Sequence, residues 1–154
     1  MRRIEDDYFL QLAYQEAQKA FLKNEVPVGA VLINPQKKIV SKAHNLKECH
    51  HDGMAHAEIL ALRKVMKKEK KWRLDGYTLY STLEPCPMCA GALLHARIER
   101  LVFGALDFKW GAVQSRINLL TPGLFNHTLN VEYLPLTDCS DILTAFFKQV
   151  REKK

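Results

Sequence analysis

Cysteine is scarce in this sequence, because 4 cysteines among 154 residues are too few to build a disulfide scaffold. The chain has only 6 prolines and 7 glycines, and no linker, internal repeat or low-complexity tract divides it. No apolar run approaches the length of a membrane span, and the first residues turn acidic without the apolar region of a secretion signal. These absences predict a soluble, cytoplasmic protein with a single domain over residues 1–154, large enough to bury its own core.

Acidic residues are in the minority, with 17 of them against 23 lysines and arginines and a formal net charge of +6. A basic protein suits a polyanionic partner, because contacts with phosphates release counterions. Composition alone does not identify the partner as nucleic acid, since the lysines of many basic proteins are merely solvated. The segment 146–151 is more indicative, because it mixes aromatic rings with cations as single-stranded nucleic-acid surfaces do. Its first ring, Phe146, could equally face the core from a last helix.

Two short motifs contain the residues with the clearest chemistry, His-Ala-Glu at 56–58 and Pro-Cys-Pro-Met-Cys at 85–89. His56, Cys86 and Cys89 offer an imidazole and two thiolates, which suit zinc, and three protein ligands leave one coordination position open for water. Apolar residues follow the first motif at helical spacing, and the second has a proline where a helix would begin. The pattern therefore predicts two helix N-termini that face one zinc ion.

Glu58 belongs to the first motif but is not one of the three metal ligands. We predict that its carboxylate moves protons between water and the substrate. Zinc held by the three ligands would bring the pKa of a water molecule down towards about 7. Other interpretations stay open at this stage. An acidic residue in a first helical turn also stabilises the helix dipole, and the pair of cysteines could serve redox chemistry. Cys49, His50 and His51 could instead join the two cysteines in a closed structural site, and otherwise Cys49 and Cys139 are expected to be free thiols.

The order of predicted elements indicates an α/β fold. A helix, a hairpin and then alternating strands and helices predict a three-layer α/β/α sandwich with a central mixed sheet of about five strands. We expect strands at 28–33, 38–43, 77–82, 100–103 and 129–133, and helices at 5–23, about 55–71, 86–96 and 138–151. A polar loop is expected at 44–53, and a second loop at 107–123 has room for a short helical piece.

Several motifs together indicate a family. They are Glu-Val-Pro-Val-Gly-Ala-Val at 25–31, Ala-His-Asn-Leu-Lys-Glu at 43–48, Ala-His-Ala-Glu at 55–58, Thr-Leu-Glu-Pro-Cys at 82–86, Met-Cys-Ala-Gly-Ala at 88–92, Phe-Gly-Ala at 103–105 and Asn-His at 126–127. In these motifs the chain resembles the zinc-dependent cytidine and deoxycytidylate deaminase superfamily, and within it the bacterial-type tRNA adenosine deaminases. It departs from the family pattern at Gly53-Met54 and at Gln114-Ser115, both near the expected mouth of the pocket.

The resemblance implies a cytidine deaminase-like fold, one zinc ion per subunit, a homodimer, and hydrolytic deamination of adenosine to inosine at the anticodon wobble position of tRNA. Its partner would be the anticodon stem-loop. Asn45 matches a family position that lines the pocket, and its amide could read the edge of the base. The other positions implied to bind substrate are Val28 and Leu83 beside the base, and Lys109, Asn126, His127, Phe147 and Arg151 on the RNA. A deaminase of free guanine or cytidine-type metabolites, or a zinc-stabilised RNA-binding module without activity, remains an alternative.

Overall fold

The computed structural model of the protein describes residues 4–154. Within that range, five strands and five helices follow the predicted order, and their ends lie within two residues of the expected ones wherever an element was predicted. In chain order the elements are α1 (Ile4–Leu22), β1 (Gly29–Ile33), β2 (Ile39–His44), α2 (Lys47–His50), α3 (Ala57–Glu69), β3 (Thr78–Ser81), α4 (Pro87–Ala96), β4 (Arg100–Phe103), β5 (Asn130–Tyr133) and α5 (Thr137–Glu152).

The five strands form one mixed sheet in the order β2-β1-β3-β4-β5. β1 runs antiparallel to β2 and β3, whereas β3, β4 and β5 are parallel to one another. The parallel strands therefore finish at the same end of the sheet, where β1 begins and β2 finishes. We call this the carboxyl end of the sheet. Both α3 and α4 begin there, because each follows a strand that finishes at that end.

Helices cover both faces of the sheet, which confirms the predicted three-layer sandwich. Successive strand residues point to opposite faces, so Leu79 packs under α3 and α4 while Tyr80 packs under α1. Leu62 of α3 belongs to the first core, and Leu10 of α1 to the second. α5 lies on the α1 side, where the ring of Phe146 contacts Phe21 edge-on. Burying each such large apolar side chain contributes about 1.5–3 kcal/mol to stability.

One predicted loop differs from the structure, and the other is a loop as expected. The polar loop at 44–53 contains the four-residue helix α2, whose Glu48 and Cys49 N–H groups donate to the carboxylate of Glu25 at 2.9 and 2.7 Å. A carboxylate more than twenty residues away thus stabilises this turn, which is why local composition did not indicate it. The loop at 107–123 contains turns and no helix among the described residues.

None of the helices within residues 4–154 combines the length and the apolar character that crossing a membrane requires.

Gly29 lets α1 lie directly on the first residue of β1. A Cβ atom there would collide with the Ala13 carbonyl oxygen and lie 2.6 Å from the Ala17 nitrogen. Because both atoms belong to the backbone, we expect Gly29→Ala to lower the free energy of unfolding by about 1–3 kcal/mol. Gly91→Ala is the matched control: nothing lies within 4 Å of its added Cβ, and it should stabilise α4 by about 0.5–1 kcal/mol. Urea unfolding of both variants measures this, and an unchanged midpoint for Gly29→Ala would contradict it.

Candidate metal centre and active site

His56 and Cys86 occupy equivalent positions at the starts of two helices. His56 is the N-cap of α3 with an extended backbone (φ −75°, ψ 149°), and Cys86 is the N-cap of α4 (φ −74°, ψ 174°). Cys89 follows in the first turn of α4, which begins with Pro87. The prediction that two helix N-termini face one site agrees with this arrangement. His56 lies one residue before its helix and not in the first turn, because an N-cap residue keeps extended dihedral angles.

The three side chains lie at the separations that zinc ligands require. His56 Nδ1 is 3.6 Å from Cys86 Sγ and 3.5 Å from Cys89 Sγ, and all three atoms lie within 4.8 Å of one another. Tetrahedral zinc with bond lengths of roughly 2.1 Å to nitrogen and 2.3 Å to sulfur places two such ligands about 3.6 Å apart. The donor set and its spacing therefore fit zinc. Within residues 4–154 it is the one such group, and the segment 49–51 does not join it.

The cluster favours a thiolate, the form of cysteine that binds metal. A hydrogen bond from the Cys89 thiol and the neighbouring His56 outweigh partial burial and lower the pKa of Cys86 to about 4. The thiol of Cys89 donates that bond and is buried, and both effects raise its pKa. Contact with Cys86 raises the pKa of His56 in spite of burial. The remaining cysteines, Cys49 and Cys139, are free thiols as predicted.

Glu58 places an unsatisfied carboxyl oxygen beside these ligands. The side chain is only 3% exposed, and its Oε1 is buried without a hydrogen-bond partner among residues 4–154. Burial raises the pKa of Glu58, against the lowering effect of nearby His56. A buried carboxyl with an open acceptor is uncommon, since native proteins pair nearly all buried polar groups. Its position and chemistry suit a group that exchanges protons with a small molecule at the metal.

The pocket residues implied by the resemblance also lie at the carboxyl end of the sheet. Asn45 is buried directly after β2, and its Oδ1 accepts the N–H of Ala57 at 2.8 Å, so it fixes the start of α3. Its backbone N–H donates to the Val28 carbonyl at 3.1 Å. Val28 is buried in the core beneath α3 and α4, and Leu83 packs partly buried against that core. The bond from Ala57 to Oδ1 fixes the orientation of the Asn45 amide.

Glu84 organises the neighbouring loop, a role that sequence reasoning did not predict. Its carboxylate is 1% exposed and accepts the N–H groups of Asp107 at 3.1 Å, Val113 at 3.0 Å, Gln114 at 2.8 Å and Ser115 at 2.9 Å, together with the hydroxyl of Ser115. Burial alone would raise the pKa of Glu84, but these hydrogen bonds outweigh it and the pKa lies below its ordinary value. The loop 105–116 is therefore wrapped around a buried carboxylate.

The same loop is tied to the backbone that leads into the metal ligands. The Glu84 N–H donates to the Ala105 carbonyl at 2.8 Å, and the Ala112 N–H donates to the Pro85 carbonyl at 2.9 Å. A Cβ at Gly111 would collide with the Glu84 carboxylate, so that position requires glycine. The departure at residues 114–115 lies within this network, because both backbone N–H groups bond to Glu84.

We expect Glu84→Gln to lower the free energy of unfolding by about 1.5–3 kcal/mol. The variant keeps the shape of the side chain but replaces one acceptor oxygen with an NH2 group, which is a donor and faces other N–H donors. It also removes the negative charge, and hydrogen bonds to a charged acceptor are stronger than those to a neutral one. Hydrogen exchange should show the largest loss of protection at residues 113–115. Glu99→Gln, at an exposed position, is the control. Equal exchange rates for both variants at these amides would show that Glu84 does not hold the loop.

The remaining predicted RNA contacts lie in three places. Lys109 is exposed on the loop 105–116, beside the site. Phe147 is 44% exposed and Arg151 is exposed on α5, while Phe146 packs on Phe21 as the core alternative anticipated.

Asn126 and His127 lie elsewhere. Asn126 is exposed, and His127 Nε2 is hydrogen bonded to the Ile98 carbonyl at 2.8 Å, just before β4 begins. That is the opposite end of β4 from the metal cluster, so the structure does not bring these two residues to the site within one chain. Their contact with RNA, like that of Lys109, Phe147 and Arg151, stays a prediction.

A mixed sheet between two helical layers, with an imidazole and two thiols at paired helix starts, defines the class of zinc-binding deaminase domains. The family model described as the cytidine and deoxycytidylate deaminase zinc-binding region matches residues 3–105, and the chain belongs to this family.

Its relatives are more specific. The chain is 46% identical over 151 residues to a tRNA-specific adenosine deaminase of Bacillus subtilis, covering 97% of this chain and 93% of the relative. It is likewise 46% identical over 145 residues to a tRNA-specific adenosine deaminase of Aquifex aeolicus, covering 94% and 95%. A solved structure from a study of A-to-I editing by tRNA:A34 deaminases at the wobble position superposes with a TM-score of 0.80 at 39% identity, covering 84% of this chain and 99% of that one.

Proposed function

We propose that this protein is a zinc-dependent hydrolase that deaminates adenosine to inosine in tRNA, at the wobble position of the anticodon. The observation that supports it best is the buried, unpartnered oxygen of Glu58 beside the three ligand atoms. A purely structural zinc site has no use for such a group, which argues against an RNA-binding module without activity. The choice of adenosine in tRNA rests on the similarity to the tRNA-specific adenosine deaminases.

The reaction replaces the exocyclic amine of the base with oxygen from water and releases ammonia. His56, Cys86 and Cys89 would hold the metal, which supplies Lewis-acid activation of water at neutral pH. Glu58 takes one proton of the attacking water and passes it to a ring nitrogen of the base. It then takes the remaining proton from the new hydroxyl group and gives it to the departing amine, which leaves as ammonia. Its burial suits this cycle, because a raised pKa lets the carboxyl both gain and release a proton.

The surroundings of the cluster provide the means to hold a base. Asn45 presents its amide NH2 group to the edge of the base, while Val28 and Leu83 provide apolar contact on either side. Because Asn45 is buried and hydrogen bonded to Ala57, its side chain is already oriented before the substrate binds. We further propose one zinc ion per subunit, a single deaminase domain over residues 1–154, a homodimer, and action in the cytoplasm.

An RNA hairpin with adenosine in its loop should be deaminated far better than free adenosine, because a loop base is already largely unpaired and phosphates add affinity. Binding should fall linearly with salt on logarithmic axes. Lys109→Ala or Arg151→Ala should flatten that slope by roughly 0.7–0.9, the contribution of one phosphate contact.

Lys68→Ala is the matched control for Lys109→Ala. Lys68 is exposed near the end of α3, and the start of this helix, at the metal cluster, lies about 17 Å away along the helix axis. Its removal takes away the same charge and should leave the slope unchanged. Turnover on hairpin and nucleoside across a salt series measures the effect. Equal efficiency on both, without salt dependence, would indicate a deaminase of free metabolites.

A further inference from the structure

The two residues beside Lys109 in the sequence, Phe108 and Trp110, have large aromatic side chains that are exposed to solvent. Phe108 is 71% exposed and Trp110 is 67% exposed. Within residues 4–154, neither takes part in an aromatic pair or a cation–π contact. The other tryptophan differs, because Trp72 has the guanidinium groups of Arg73 and Arg97 over its ring at 5.6 and 6.0 Å.

The turn that presents these rings is held by hydrogen bonds. Asp107 Oδ1 accepts the N–H groups of Lys109 at 3.0 Å and of Trp110 at 3.1 Å. The carbonyl oxygen of Asp107 accepts the Gly111 N–H at 2.8 Å. Asp107 itself donates its N–H to the buried carboxylate of Glu84. The exposure of the two rings is thus imposed by a fixed backbone turn, since both sides of the turn are anchored.

The same anchors connect the turn to the segment that leads into the candidate metal ligands. On one side of the turn, Asp107 bonds to Glu84, which is two residues before the ligand Cys86. On the other side, Ala112 bonds to the carbonyl of Pro85, the residue before that ligand. The backbone turn that carries Phe108 and Trp110 is therefore fixed to the segment that leads into Cys86.

We propose that Phe108, Lys109 and Trp110 form a stacking surface for the unpaired bases next to the target adenosine in an RNA loop. This inference rests on the proposed function and adds how the flanking nucleotides are held. A base that leaves the stack exposes the faces of its neighbours, and aromatic side chains cover such faces whatever the base. Lys109 lies between the rings and supplies positive charge for the phosphate that joins those nucleotides. The surface accepts any base, so it contributes affinity and register without reading sequence.

Tryptophan fluorescence tests the stacking directly, because the chain contains 2 tryptophans and Trp72→Phe leaves Trp110 as the only one. In a Trp72→Phe, Glu58→Ala protein, which binds RNA without turning it over, an RNA hairpin should quench Trp110 on binding. A hairpin with abasic sites on both sides of the target adenosine should bind at least about fivefold more weakly and leave the fluorescence nearly unchanged. Equal quenching by both hairpins would overturn the proposal.

Kinetics provide the second measurement. Phe108→Ala and Trp110→Ala should each raise KM for the hairpin by at least about fivefold, the lower limit for loss of one base stack, with a much smaller effect on kcat. Trp110→Phe should restore most of the loss, and Trp72→Ala should leave KM unchanged. An unchanged KM in the double alanine variant would overturn the proposal. So would concentration-dependent Trp110 fluorescence without RNA, which would assign the rings to a contact between two copies of the chain.

The two hypotheses fail in different ways. If wild-type protein forms no inosine in the hairpin, the proposed function is wrong. If it forms inosine while the rings neither alter KM nor respond to the flanking bases, the proposed function stands and the stacking surface is wrong.

Discussion

Glu58→Ala should lose nearly all turnover and keep its zinc. The substitution removes the proton carrier and none of the three metal ligands, and general acid and base groups contribute about 10²- to 10⁴-fold to the rate. Because the Oε1 atom of Glu58 is buried without a hydrogen-bond partner in the described residues, burial of this carboxyl costs free energy that the substitution removes. Folding should therefore be largely preserved, and the loss should appear in kcat.

Glu58→Gln is the companion variant, since it keeps the size of the side chain and abolishes proton exchange. Both variants should bind zinc at the wild-type ratio, measured by elemental analysis of the purified protein. If either keeps activity within about tenfold of the wild type, a change of roughly 1.4 kcal/mol in the barrier, the role given to Glu58 is wrong.

Cys86→Ala should lose metal and stability together. Removing one of three protein ligands weakens zinc binding, and zinc that binds only the folded state stabilises it by about 4 kcal/mol at a thousandfold excess over the dissociation constant. Thermal unfolding should show a melting temperature that rises with added zinc in the wild type. In Cys86→Ala it should no longer respond.

Cys49→Ala provides the matched control, because Cys49 is an exposed free thiol outside the cluster. It should retain zinc and the response of the melting temperature. Full zinc occupancy in Cys86→Ala, with loss of zinc in Cys49→Ala, would instead assign the metal to Cys49, His50 and His51.

The sequence predicted the layers and the ligand cluster well because both depend on local patterns. Apolar spacing identified the strands and the main helices, and the two motifs at 56–58 and 85–89 contain all three candidate ligands and the starts of their helices. The two faces of the sheet followed from alternation, as Leu79 and Tyr80 illustrate.

The features that the sequence did not predict depend on contacts between distant residues. α2 is held by Glu25, and the loop 105–116 by Glu84, each acting across more than twenty residues. In both cases a buried carboxylate accepts hydrogen bonds from several backbone N–H groups, and no local sequence pattern indicates which carboxylate does so. The position of His127 at the far end of β4 was hidden for the same reason, since motif matching carries no information on which end of the sheet a segment lies.

One competition experiment tests the central claim most directly. Purified zinc-loaded protein is incubated with an anticodon stem-loop RNA that contains the wobble adenosine, together with equal concentrations of free adenosine, guanine and cytidine, and all products are quantified by mass spectrometry. The proposed function predicts inosine within the RNA loop, with little free inosine, xanthine or uridine. Xanthine, uridine or free inosine as the main product, with the RNA adenosine intact, would contradict it.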